Sequence, residues 1–185
     1  MINDGQIGDR VDATVTRGAL SEAIAGIAGR YEVECYDDQG NLKWSDIIDN
    51  LVVDTGLNDM LDKWLKGSTY TAAFYVGLCV TSTPVAGDTM ASHAGWTESS
   101  AYTEANRQTL TLGTVSAKSV NNSASKAVFS INGTATITGA FVSTNNTKGG
   151  TTGTLISGGA FSGGSKAVSS GDTLNVQITY TGSSS

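Results

Sequence analysis

The sequence predicts a mainly β protein: a single β-sandwich, jelly-roll or Ig-like, with one short helix and an N-terminal arm. Three observations predict it. Apolar and polar residues alternate in many short runs, as strands with one buried face require. Clusters of Gly, Asn and Ser separate these runs, and the 185 residues include 23 Gly and a single Pro. One segment alone, near residues 55–66, repeats its apolar residues at three and four instead of two. The length suits one domain with a real core, so residues 1–29 are read as the arm and residues 30–185 as the sandwich.

Residues 1–29 are polar at first and then read GALSEAIAGIAGR, where Leu20, Ile24 and Ile27 fall on one face of a short helix. So short a segment does not fold alone. It is either a frayed terminus or an arm that orders on a neighbouring subunit, with Leu20, Ile24 and Ile27 as its contact residues.

At Arg30 the pattern turns to strand. Tyr31, Val33 and Cys35 alternate with Glu32, Glu34 and Tyr36, and DDQGN supplies the turn of a hairpin before LKW. A second strand, SDIIDNLVV, leads into the helix, whose apolar face is Leu57, Met60, Leu61, Trp64 and Leu65. Asp54 or Thr55 is placed to cap its start and Gly67 to end it. Leu57, Leu61 and Trp64 are expected in the core, with Leu61 and Trp64 packed on the following strand. That strand, TAAFYVGLCV, is nearly continuous in apolar residues, as a strand covered on both faces would be, and Pro84 marks its exit.

Residues 87–107 read as a long loop in which Asp88 caps a helical turn and Trp96 and Tyr102 are anchors. Five strands are expected after it, in QTLTLGTV, SKAVFSIN, TATITGAFVS, GTLISGGAF and DTLNVQITYT. In the last, Leu174, Val176, Ile178 and Tyr180 point one way and Thr173, Asn175, Gln177 and Thr179 the other.

Charge is sparse and unevenly placed. Charged residues make up 15%, and sixteen of the seventeen acidic residues lie at or before Glu104. A net charge of -6, with no basic run, argues against a protein that tracks nucleic-acid phosphates. No basic n-region and apolar h-region open the chain, and no eighteen apolar residues run together, so neither secretion by the usual signal nor membrane spanning is expected. Cys35 and Cys79 make no disulfide framework and are read as buried free thiols.

Catalytic chemistry finds few groups to work with. His93 is the only histidine, whereas zinc sites and Ser or Cys triads require imidazoles beside further ligands or a nucleophile. The ASHAGW string around it contains no nucleophile elbow, and a lone loop histidine is read as a satisfied polar group. Asp37 and Asp38 sit where a turn favours Asp, and DDQGN lacks the alternating oxygen ligands and terminal Glu of a calcium loop. No enzyme activity, cofactor or metal is therefore expected. Trp44 and Trp96 are read as core lids or contact anchors, with Trp44 placed in the core. Such aromatics beside Asp and Asn would also suit a sugar-binding surface.

Taken in order, NLVVDTGLNDMLDKWLKGS, YVGL, AGDTMASHAGWTE, NNSASKAVFSIN, NTKGGTTGTL and SGDTLNVQITYT resemble a family of small tailed-bacteriophage structural proteins, over roughly residues 31–182. The resemblance implies a virion component on the capsid surface, similar to β-sandwich decoration or cement proteins and assembled in the host cytoplasm. Its implied partners are the major capsid protein or other virion proteins, in a homo-oligomer or multi-copy assembly without nucleic acid or membrane. The alternatives are a tail, collar or fibre component, or a host-surface carbohydrate-binding module. No residue role carries over from the family.

Overall fold

The computed structural model describes residues 26–70 and 72–183. The first hairpin follows directly from the local sequence. Strands β1 (Ile27–Tyr36) and β2 (Leu42–Val52) pair antiparallel, and Asp37 closes the turn by accepting the backbone N–H groups of Gln39 and Asn41 at 3.0 and 2.8 Å. An Asp side chain that takes over such local donors is what makes it a turn residue. Helix α1 (Asp54–Trp64) follows, then β3 (Tyr75–Ser82) and the three-residue β4 (Trp96–Glu98). Shorter strands come next: β5 (Gln108–Thr109), β6 (Ser119–Asn121), β7 (Ala127–Ser130) and β8 (Ala135–Ile137). The chain ends with β9 (Gly139–Ser143), β10 (Leu155–Ala160), β11 (Lys166–Val168) and β12 (Thr173–Gly182).

The main sheet runs β4-β3-β9-β10-β2-β1-β12-β6, with β5 added on β3 and β7 on β12, and its pairings are antiparallel. Strand β2 belongs to both halves of this path. Its first part pairs with β1, while Leu51 and Val52 pair with Gly158 and Ser157 of β10. The two halves share one core: Tyr31, Val33 and Cys35 from β1 and Leu174, Val176 and Ile178 from β12 cluster with Val76 and Leu78 of β3 and Val142 of β9. This is a sandwich whose sheets are joined through a shared strand. The small β8–β11 sheet adds Ile137 and Val168 to the same core.

Strand β9 is buried at all five positions because both of its faces are covered. Ala140 and Val142 face the shared core, whereas Phe141 joins Val53, Cys79, Met90, Trp96 and Leu155 in a second cluster. Residues 83–99 supply the cover, with Trp96 at 4.6 Å from Phe141, ring centre to ring centre. Gly77 of β3 leaves room for that ring, since a Cβ there would collide with Phe141.

Several expectations need correction. The last strand, the hairpin and the two-sided burial of β3 are as read, but Ile27 opens β1 opposite Gly182 instead of extending an arm helix, because the free edge of β12 offers it a ladder partner. Leu20 and Ile24 lie outside the described residues. Helix α1 starts from Val53 without a side-chain cap, and Thr55 donates its hydroxyl to the Leu155 carbonyl instead. Its end is as expected, with Gly67 at φ 75° letting the Ser68 N–H reach back to Asp62. Of QTLTLGTV, two residues form a strand: Leu110 is held by a bond to the Phe74 carbonyl, and the chain then leaves the ladder. Asp88 caps no helix but accepts the Val85 N–H within its own loop.

The larger correction concerns the helix face. Leu57, Leu61 and Trp64 are not core: they are 39%, 53% and 84% exposed. The buried helix residue is Gly56, which lies so close to the backbone of Ile156 that a Cβ would strike its carbonyl. The helix therefore packs on β10 through its glycine side, with Met60 half-buried against the core, while Leu57, Leu61 and Trp64 are turned away from the sandwich.

Candidate functional site

The outward face of α1 forms one wall of an apolar groove of about 790 Å³. Leu57, Leu61, Trp64 and Leu65 line it from the helix, Tyr70 and Phe74 from the segment that follows. Ile27 at the start of β1 and Gly182 at the end of β12 form the opposite rim. Residues assigned to separate roles on sequence, Ile27 as an arm contact and Leu57, Leu61 and Trp64 as core, thus meet at one surface. Below it a smaller pocket of about 210 Å³ continues between Met60, Phe74, Leu112 and Ile156. Leu65, at 68% exposure, and Trp64 make the groove's upper lip the most exposed apolar surface of the helix.

Polar groups stand at the margin. Lys63 lies 3.9 Å from both Asp59 and Asp62, and Lys66 3.1 Å from Asp62, which are solvent-accessible pairs, Asp59 being the most covered, of small energetic weight. Partial burial, and then the nearby Asp59 carboxylate, push the Tyr70 hydroxyl pKa upward, so that ring meets the groove uncharged. Contiguous exposed apolar surface rimmed by charge is the signature of a contact site, because leaving it in water forgoes the free energy of burial.

The groups that could have carried chemistry are placed structurally. His93 stacks on Trp96 at 3.7 Å between ring centres, and its Nδ1 lies 3.0 Å from the Trp96 carbonyl oxygen. Trp96 itself is buried, while Trp44 packs edge-on against Phe161 at the border of the core. Both cysteines are buried and unpaired, and burial, with Asp172 nearby, pushes the Cys35 thiol up to about 11. Neither thiol is poised as a nucleophile. Among the described residues, no three His, Cys, Asp or Glu side chains converge as a metal site would need.

Sequence reasoning missed a buried ion pair. The Arg107 guanidinium donates to both Glu98 oxygens at 2.9 and 2.7 Å, and to the carbonyls of Asn145 and Gly150 at 2.9 and 2.7 Å. It lies 5.0 Å from the centre of the Phe141 ring. All its fork is used to pin the 99–106 loop and the 145–150 turn over the outer cluster, so the pair is architectural. The signal was present but weak: Arg107 is the last arginine, standing where the charge-poor half begins.

Set against known proteins, the chain matches no family model and no curated protein.

Proposed function

We propose that this protein is a structural component of a tailed-bacteriophage virion, a decoration or cement protein that binds the outside of the capsid in many copies and stabilises the head. The observation that carries the reading is the apolar groove along α1, which the described residues leave open to solvent, in a chain whose His93, Cys35, Cys79 and Arg107 are held in packing or structural bonds. The resemblance of its sequence strings to small phage structural proteins supports the setting. A decoration protein needs no reacting group; it needs a rigid sandwich and a surface that meets a repeated lattice, where many modest contacts add up.

Binding to the assembled lattice and not to free subunits stabilises the lattice by mass action. Particles assembled without the protein are therefore expected to release their genome at a lower temperature than complete ones, and particle gels should show it in copy numbers of the capsid class. Equal release temperatures would sink the cement reading, and a copy number fitting the tail axis would favour a tail, collar or fibre component. The exposed rings of Trp64 and Tyr70 support a second reading, a carbohydrate-binding module for the host surface, because sugars stack on such rings. Glycan-array binding by the purified protein, lost in Trp64→Ala, would favour it.

A further inference from the structure

We propose that the α1 groove is filled by the amino-terminal segment of a second copy of this chain, with Leu20 and Ile24 seated beside Leu61 and Trp64, so that copies associate by exchanging arms. This rests on reading the groove as an assembly surface and does not depend on the virion setting. The residues before Gly26 begin at the groove itself, since Gly26 and Ile27 line its rim. They carry Leu20 and Ile24 four apart, apolar side chains that suit the groove's apolar lining.

A second copy is favoured over the chain's own segment by how the rim is tied. Beyond the Ile27↔Gly182 pair the ladder continues: Gly26 N–H donates to the Ser183 hydroxyl at 3.1 Å, and Ser183 N–H to the Gly26 carbonyl at 2.9 Å. The chain is held extended up to the groove's edge. Ile24 is only two residues, about 7 Å of extended chain, from that ladder, which leaves little chain in which to turn onto its own groove. A segment from a neighbour meets no such restriction, and reciprocal exchange closes a two-fold pair in which both grooves are filled.

The test uses the full chain, whose mass is 19.0 kDa. Light scattering at about 100 µM, where contacts made by a few apolar anchors are populated, should find a two-chain species. Leu20→Asp with Ile24→Asp, on the arm, and Leu61→Asp, in the groove, should each return the protein to single-chain mass, raising the dissociation constant at least tenfold. Mixing the arm variant with the groove variant should restore a two-chain species, because one supplies an intact groove and the other an intact arm. Thermal melting identifies a variant that fails to fold, and Trp64→Ser then serves as the groove variant. A wild-type chain that stays at single-chain mass overturns the proposal, as does a two-chain species indifferent to Leu20 and Ile24, or a mixture that recovers nothing. Particles play no part in this measurement. Self-association without particle occupancy would discard the virion reading alone, and occupancy by a protein that never self-associates would discard the exchange alone.

Discussion

Two buried charges show how single residues hold this fold. Arg107 has a side chain with no exposure, and its partner Glu98 is 9% exposed, so removing either leaves the other stranded in the interior. Arg107→Met is therefore expected to cost about 3–5 kcal/mol, read as a fall in the urea midpoint, with part of the loss recovered by adding Glu98→Gln. If the single change cost less than about 1 kcal/mol, water would have to reach Glu98. Asp46 works through pH. Burial pushes its carboxyl up, but the Lys166 ammonium at 2.8 Å, the N–H groups of Ile47 and Gly163 and the Ser162 hydroxyl outweigh this and hold it at about 2, below the ordinary 3.8. A lowered folded-state pKa means stability that is present above the unfolded value and lost as pH falls through the folded one. Asp46 should thus contribute about 2 kcal/mol at neutral pH, and that contribution should fade between pH 3.8 and about 2. Asp46→Asn should lower the melting temperature at pH 7 and flatten its fall across that acid window.

At the scale of elements, α1 separates what periodicity tells from what packing tells. The three-and-four repeat of Leu57, Leu61 and Trp64 located the helix to within two residues at either end, since helix formation is local. It did not tell which side the sandwich would cover. Gly56 lets the helix backbone approach the carbonyl of Ile156, and a close approach through glycine turns the bulky face outward. Leu61→Ala should therefore shift the unfolding free energy by less than about 1 kcal/mol, whereas Gly56→Ala should destabilise by about 1–3 kcal/mol through overpacking. Circular dichroism melts of the two variants decide the matter, and the reverse order would return the apolar face to the core. The strands divide similarly. β12 was legible because alternation over ten residues leaves one arrangement of faces. The run after Arg107 was not, because Leu110 and Leu112 alternate like a strand while bonding to no continuous neighbour.

For the whole molecule, the shared core and the outer cluster bury the two thiols at opposite faces of the sandwich's second sheet. Cys35 lies in the first and Cys79 in the second, and burial raises both thiol pKa values. A thiol reagent should accordingly find neither cysteine in the folded protein and both after unfolding in denaturant. Rapid reaction of Cys79 alone would mean that the 83–99 cover opens independently of the sandwich.

The sequence by itself determined the mainly β class, the hairpin turn at Asp37, the single helix and the inward face of β12, because each depends on neighbours a few residues apart. Tertiary structure alone decided that β2 is shared by both halves, that Arg107 would find Glu98 and two distant carbonyls, and that Ile27 and the α1 face would form one groove. Those outcomes depend on which remote segments close upon one another, and a periodic pattern marks a face as apolar without saying whether this chain or another will cover it.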